Sequence, residues 1–182
     1  DLLAANEFLL ERLEGSSIAG SVDKNATLTG PVVVGKGTVV KPGSCIEGPV
    51  VIGEDCVIGP NCYIRGATAI GNRCRIGQGM EVKNAIYFPG ATSAHLSYVG
   101  DSILGEGVNV GGGSMLANLR HDGQTIKSRV NGSLVDTGRR KFGAVLGDGC
   151  KLGANTTVLP GRKLWPATTT RPGQVVEEDI VS

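Results

Sequence analysis

Aromatic residues are scarce in this 182-residue chain, at 4% of the sequence, although 40% of its residues are hydrophobic. A core built around large rings is therefore excluded, and we expect an interior of aliphatic side chains. No stretch approaches the roughly 20 consecutive apolar residues of a membrane span, and the first residues lack the layout of a secretory signal. These absences predict a cytoplasmic protein with no membrane partner.

Charge of one sign and metal-binding motifs are also lacking. Lysine and arginine total 18 against 17 aspartates and glutamates, so the net charge of +1 argues against a nucleic-acid partner. Five cysteines without a CxxC pair argue against a disulfide framework or a thiolate zinc site. A zinc site of three histidines is disfavoured as well, because the sequence has only His95 and His121. We expect no metal in this domain.

A repeat of six residues is the strongest pattern in the sequence. Every sixth residue of one long series is aliphatic: Val22, Leu28, Val34, Val40, Ile46, Ile52, Ile58, Ile64, Ile70, Ile76 and Val82. Glycine commonly follows this residue, and a small residue commonly stands two places before it. A period of six fits neither a helix nor a simple strand alternation, so each unit must hold a short strand and a turn.

Three such units close one coil of about 18 residues, and the coils stack at the ~4.8 Å spacing of parallel strands. The repeat thus predicts an all-β protein, a triangular parallel β-helix whose large aliphatic residues fill the interior. Cys56 and Cys74 are 18 residues apart and should stack in adjacent coils. With Cys62 and Cys150 they are interpreted as small core residues.

The repeat breaks twice, over residues 83–98 and 118–142, and both segments are expected to leave the prism as loops. Insertions in a solenoid often build its binding site. The second segment holds six basic and two acidic residues, a net charge of +4. A phosphate-bearing ligand is the preferred explanation, and an ordinary solvated basic loop is the alternative.

Residues 1–14 are predicted to form a linker helix, and residues 15–182 the β-helix domain. Asp1 could cap the helix, and Gly15 lies just past its end. The predicted apolar side consists of Leu2, Phe8, Leu9 and Leu13.

Three functions compete on the residues alone: acyl transfer from a thioester to an amine, zinc chemistry, and a structural prism that trimerises a larger enzyme. Acyl transfer needs a general base, a donor for the oxyanion and cations for phosphates. His95 lies away from the aliphatic positions, and histidine is the side chain that exchanges protons near neutral pH. Spacing alone does not separate a catalytic His95 from a structural one.

The segments His95–Asp101 and Gly107–Gly113, followed by Asn118, resemble the acetyltransferase domain of a known bifunctional family. The family joins N-acetylglucosamine-1-phosphate uridyltransferase to glucosamine-1-phosphate acetyltransferase, and the resemblance is nearest its archaeal-type sugar-1-phosphate nucleotidylyltransferases. It covers residues 15–176, and residues 1–6 resemble the family's linker to a nucleotidyltransferase domain. The resemblance implies a left-handed β-helix and a homotrimer with active sites between subunits.

Carried over by position, the resemblance makes His95 the catalytic base that takes the proton from the 2-amino group. The implied sugar-phosphate ligands are Arg65, Lys83, Tyr98, Asn109 and Lys141. The implied acetyl-CoA contacts are Gly112, Asn118, Leu119, Ala154 and Pro172. Leu119 stands where the family commonly has an aromatic residue, and Arg139, Arg140 or Arg171 could bind the tail of the cofactor.

The function that the resemblance implies is acetyl transfer from acetyl-CoA, as co-substrate, to the amino group of an amino-sugar 1-phosphate in nucleotide-sugar synthesis. Glucosamine 1-phosphate is the expected acceptor, and galactosamine 1-phosphate stays open because the epimers differ by small changes of pocket geometry. The alternative is a non-catalytic trimerisation domain of a sugar-1-phosphate nucleotidyltransferase. His95 with Lys83 and Lys141 discriminates between them, because a scaffold needs no such set.

Overall fold

Short strands separated by turns follow one another along nearly the whole chain, as a six-residue repeat requires. The structure is a computed structural model that describes residues 2–181. One helix, α1 (Leu2–Leu10), precedes the strands. The strands are β1 (Ser17–Ile18), β2 (Ser21–Val22), β3 (Thr27–Thr29), β4 (Val32–Val34), β5 (Val39–Val40), β6 (Cys45–Glu47), β7 (Val50–Ile52), β8 (Val57–Ile58), β9 (Tyr63–Arg65), β10 (Thr68–Ile70), β11 (Arg75–Gln78), β12 (Glu81–Lys83), β13 (Ile86–Tyr87), β14 (Thr92–His95), β15 (Tyr98–Gly100), β16 (Ile103–Leu104), β17 (Asn109–Val110), β18 (Met115–Leu116), β19 (Lys127–Val130), β20 (Ser133–Asp136), β21 (Val145–Leu146), β22 (Lys151–Leu152), β23 (Thr157–Val158), β24 (Lys163–Leu164) and β25 (Val175–Val176).

Three parallel sheets form the faces of a prism, and the chain visits them in turn. Face A has the order β1-β4-β7-β10-β13-β16-β21-β24, face B has β2-β5-β8-β11-β14-β17-β22, and face C has β3-β6-β9-β12-β15-β18-β23-β25. Apart from the strands at the ends of each sheet, every strand of the three faces pairs with the strands one coil below and one coil above it. The predicted left-handed parallel β-helix is confirmed.

The repeated aliphatic residues fill the interior of the prism. Val34, Ile52 and Ile70 stack in register on face A at intervals of 18 residues, and each is at most 2% exposed. Cys56 and Cys74 are both buried in successive coils, as the 18-residue spacing predicts. Burial at about 25 cal/mol per Å² of apolar surface makes this stack the main source of stability.

The first break in the repeat is not a loop, and the prediction for residues 83–98 was wrong. Strands β12 to β15 run through the segment, and the coil is shortened by one residue: Ile70 pairs with Tyr87 and Val82 with Val99, intervals of 17 instead of 18. The inward positions are taken by Tyr87 and Ser93, which are 1% and 0% exposed. Their side-chain oxygens lie 3.1 Å apart, so a hydrogen-bonded polar pair replaces two aliphatic residues.

The second break does leave the prism. Strands β19 and β20 form an antiparallel hairpin, and its base is closed by a bridge between Leu119 and Lys141. Ser128 Oγ donates to the carbonyl of Gly161 at 2.8 Å, which fastens the hairpin to the prism.

The helix packs on face A through a different side from the predicted one. Leu3 and Leu10 are buried, whereas Leu2, Phe8 and Leu9 are exposed. The two buried leucines are seven residues apart, which places them two turns apart on one stripe of the helix. Asp1, the predicted cap, lies outside the described residues. Between residues 2 and 181, no helix is long and apolar enough to cross a membrane.

Candidate active site

The two predicted phosphate ligands on face C lie one above the other. Arg65 of β9 pairs in register with Lys83 of β12, so their side chains leave the same face in successive coils. An Arg65 N–H donates to Glu81 Oε1 at 2.6 Å, and this carboxylate raises the pKa of the guanidinium. The side chains of Arg65 and Glu81 are each about one-third exposed. A phosphate can therefore reach the guanidinium of Arg65 without breaking a buried ion pair.

Asp101 lies at the centre of a hydrogen-bonded cluster next to Lys83. Its side chain is 3% exposed, and Lys83 Nζ donates to Oδ2 at 3.2 Å. Asn84 Nδ2 donates to Oδ1 at 2.8 Å, and Asn118 Nδ2 donates to Oδ2 at 2.5 Å. The backbone of Asp101 is left-handed, with φ at 46°, directly after the end of β15.

Tyr98 connects the cluster to the exposed part of face C. Asn118 Nδ2 donates to Tyr98 Oη at 2.9 Å. Burial, followed by the negative charges of Asp101 and Glu81, raises the pKa of the Tyr98 hydroxyl. The phenol therefore keeps its proton at neutral pH and is available as a hydrogen-bond donor.

His95 is the last residue of β14, where the chain turns from face B to face C. Its side chain is exposed. Register places it above Gln78 and below Gly112, and a Cβ on Gly112 would lie 3.1 Å from the Cβ of His95. The glycine thus leaves room for the imidazole at this corner.

Gly112, Ala154 and Pro172 follow one another up the same corner of the prism. Asn155 N donates to the carbonyl of Gly112 at 2.8 Å, and Gly173 N donates to that of Ala154 at 2.7 Å. We call His95, Gly112, Ala154 and Pro172 the corner column. It offers small side chains along three coils, directly above an exposed imidazole.

A single copy of the chain brings only some of the predicted ligands together. Lys141 lies beside Asp101 along a 360 Å³ cavity that Glu7, Arg139 and Arg140 also line. Asn109 lies elsewhere, on face B, where Thr92 Oγ1 donates to its Oδ1 at 2.9 Å. Leu119 is separated from the corner column as well, because it follows β18 on the far side of face C.

Leu119 lines a larger cleft, of 610 Å³, between the hairpin and the prism. Its apolar wall contains Ile126, Leu134 and Leu159, and basic side chains such as Lys127 stand at its rim. The volume falls in the range of small-molecule sites.

Three residues in and around the cluster were not predicted as site residues: Asp101, Asn84 and Glu7. Arg139 was predicted only as a ligand for the tail of the cofactor, and the structure pairs it with Glu7. Glu7 of α1 accepts from Asn84 Nδ2 at 2.7 Å and forms an ion pair with Arg139. Asp101 lies within the segment that carries the resemblance, so its position was visible although its role was not. The Glu7–Arg139 pair spans 132 residues, and no spacing rule finds it.

Comparison with known proteins agrees with the resemblance. Residues 46–170, more than half of the chain, match the family described as GMPPB C-terminal domain. The chain belongs to this family. It is also 39% identical over 180 residues to a bifunctional sugar-1-phosphate nucleotidylyltransferase/acetyltransferase of Sulfurisphaera tokodaii, a match that covers 99% of this chain and 45% of that protein.

Two archaeal proteins named bifunctional protein GlmU are similar over the same range. The one from Methanococcus maripaludis strain C7 is 43% identical, with 99% of this chain and 43% of that protein covered. The one from Methanocaldococcus jannaschii is 36% identical, with coverages of 100% and 44%. The chain therefore spans less than half the length of the curated relatives that it matches.

Proposed function

We propose that this chain transfers an acetyl group from acetyl-CoA to the 2-amino group of an amino-sugar 1-phosphate, with glucosamine 1-phosphate as the acceptor. The name of the Sulfurisphaera tokodaii relative, a bifunctional sugar-1-phosphate nucleotidylyltransferase/acetyltransferase, supports the reaction class. The observation that carries the proposal is the corner column, in which the exposed imidazole of His95 lies directly below the small residues Gly112, Ala154 and Pro172. A cytoplasmic location and the absence of nucleic-acid and membrane partners stay predictions.

The proposed roles follow from the chemistry of the groups. An amine attacks a thioester only as the free base, so His95 takes a proton from the amino group as nitrogen bonds to the carbonyl carbon. The carbon–sulfur bond then breaks, and the proton on the imidazole passes to the departing thiolate. Arg65, Lys83 and Lys141 would hold the phosphate, and Tyr98 and Asn109 would orient the sugar.

The proposed acetyl-CoA site needs two copies of the chain. Asn118 and Leu119 lie at one side of face C, while Gly112, Ala154 and Pro172 lie at the opposite corner. A cofactor that touches both sets must therefore lie between two prisms. A homotrimer with sites between subunits satisfies this condition for every copy.

A second function is favoured by the ion pairs of the site. Lys83 is already paired with Asp101, and Arg65 with Glu81, so the protein stabilises these charges without a ligand. Such pairs also suit a non-catalytic trimerisation domain of a sugar-1-phosphate nucleotidyltransferase. That function gives no role to an exposed His95.

The test is acetyl-CoA-dependent thiol release with glucosamine 1-phosphate in wild type, His95→Ala and Leu96→Ala. Leu96 is the matched control, since it adjoins His95, is 71% exposed and has no proposed role. We expect His95→Ala to abolish transfer with an unchanged oligomer and melting temperature, and Leu96→Ala to retain it. Loss of the oligomer in His95→Ala would make this histidine structural.

Mixed oligomers test the shared site. His95→Ala and Asn118→Ala subunits, unfolded and refolded together, should recover part of the activity that each lacks, because some interfaces then combine two intact halves. Activity no higher than that of the separate variants would place the whole site within one subunit.

A further inference from the structure

The carboxylate of Asp101 can only accept hydrogen bonds while it is paired with the Lys83 ammonium. Three side-chain nitrogens donate to its two oxygens: Lys83 Nζ, Asn84 Nδ2 and Asn118 Nδ2. With 3% of the side chain exposed, water supplies little of its solvation, and these donors must be retained. Each donor group is thereby fixed in orientation.

Asn118 has only one orientation that satisfies this carboxylate. If its amide were flipped, Oδ1 would lie 2.5 Å from Asp101 Oδ2, and two acceptors would face each other. With Nδ2 inward, one hydrogen goes to Asp101 and the other to Tyr98 Oη. Both hydrogens are then used, and Oδ1 is left as an acceptor.

The orientation of Asn118 in turn fixes Tyr98. Its phenol oxygen accepts from Asn118, so its own hydrogen must point elsewhere. Within residues 2–181 no acceptor receives this hydrogen. Tyr98 is half-buried and Asn118 is partly buried, so both can still reach a ligand.

We propose that Asp101 is a positioning residue that sets the donor and acceptor polarity of the active site. Through it, Asn118 presents only an acceptor to the substrates, and Tyr98 presents only a donor. Asn118 Oδ1 therefore accepts from an N–H group of a substrate, and Tyr98 donates to a substrate oxygen. The amide of Asn118 does not stabilise the oxyanion. This inference rests on the proposed function for its consequence in catalysis.

Asp101→Asn tests the catalytic consequence. The change keeps the size of the side chain but allows Asn118 to flip, so we expect kcat/KM to fall about 100-fold, the typical cost of a misplaced reacting group. Asp55→Asn is the matched control, because Asp55 also has a left-handed backbone, with φ at 55°, but is exposed and distant from the cluster. An equal loss in both variants, or none in Asp101→Asn, would overturn the proposal.

Exchanging the two residues separates polarity from folding. In Asn118→Asp alone, the new carboxylate lies against the carboxylate of Asp101, and we expect a lower melting temperature. In the double variant D101N/N118D, the amide at position 101 can donate to the carboxylate at position 118, so the melting temperature should recover. Transfer should stay lost, because Tyr98 would then donate to the new carboxylate and have no hydrogen for a ligand.

Recovery of activity together with stability in the double variant would reduce Asp101 to a structural residue. A melting temperature of Asn118→Asp equal to that of wild type would show that the assigned orientation of Asn118 is wrong. If wild type transferred acetyl to no amino sugar, the proposed function would fail, and the four melting temperatures would still decide the polarity of the cluster.

Discussion

The buried Tyr87–Ser93 pair gives a quantitative test of how the β-helix tolerates polar residues in its interior. The two side-chain oxygens are 3.1 Å apart, and both residues are at most 1% exposed. Tyr87→Phe leaves the Ser93 hydroxyl without this partner, and Ser93→Ala does the same to the phenol. An unsatisfied buried hydroxyl costs about 1–3 kcal/mol. Removing both groups leaves no orphan, so the double variant should be close to wild type.

The assay is calorimetric or urea unfolding of wild type, both single variants and the double variant at equal subunit concentration. At about 2–4 °C per kcal/mol for a domain of this size, each single change should lower Tm by roughly 2–12 °C. The double variant should lose less than either single variant. If it is as stable as wild type, the coupling free energy equals the sum of the two single losses, about 2–6 kcal/mol. Additive losses would refute the reasoning, because the two hydroxyls would then be satisfied independently.

Three further predictions concern pH, packing and the cofactor. Burial raises the pKa of Tyr87 well above its ordinary value, so above about pH 10 only the unfolded chain loses the phenol proton. The free energy of unfolding should therefore fall with rising pH by up to ~1.4 kcal/mol per pH unit. In Tyr87→Phe, measured from pH 9 to 11, this part of the pH dependence should be absent. Gly77→Ala should destabilise by about 1–3 kcal/mol in urea unfolding, since its Cβ would overlap a backbone carbonyl oxygen of the next coil, and it should also impair transfer by moving β14. At Gly107 an added Cβ would meet nothing within 4 Å, so Gly107→Ala should destabilise only through the strain of an alanine with a left-handed φ, about 1–2 kcal/mol. Charge reversal at Arg140 or Arg171 should raise KM for acetyl-CoA in steady-state assays, and an unchanged KM in both would remove them from the cofactor site.

The fold could be predicted because six-residue periodicity is a direct consequence of strand and turn geometry. Every sixth residue from Val34 to Val82 is aliphatic and buried, so the periodic pattern in the sequence was enough to find the interior positions of the β-helix. The error at residues 83–98 has two causes that act together. A one-residue shortening shifted the register, and Tyr87 and Ser93 occupied inward positions where aliphatic residues were expected.

The candidate site could be predicted only in part. Register arithmetic stacks Arg65 on Lys83 and Ala154 below Pro172, because these contacts follow the coil. The left-handed backbone at Asp101 cannot be predicted from the six-residue repeat, and the orientation of Asn118 depends on where this carboxylate lies. The contact of Glu7 with Arg139 depends on where α1 docks, which was predicted on the wrong side of the helix.

Acetylation of the amine of an amino-sugar 1-phosphate is the activity that we propose for this chain. The most direct measurement is thiol release from acetyl-CoA by the wild-type protein, with glucosamine 1-phosphate, galactosamine 1-phosphate and free glucosamine compared at equal concentration. We expect transfer that requires the 1-phosphate, with glucosamine 1-phosphate preferred. No thiol release with any of the three acceptors, from protein shown to be folded, would contradict the proposed activity and leave the non-catalytic trimerisation domain as the function of this β-helix.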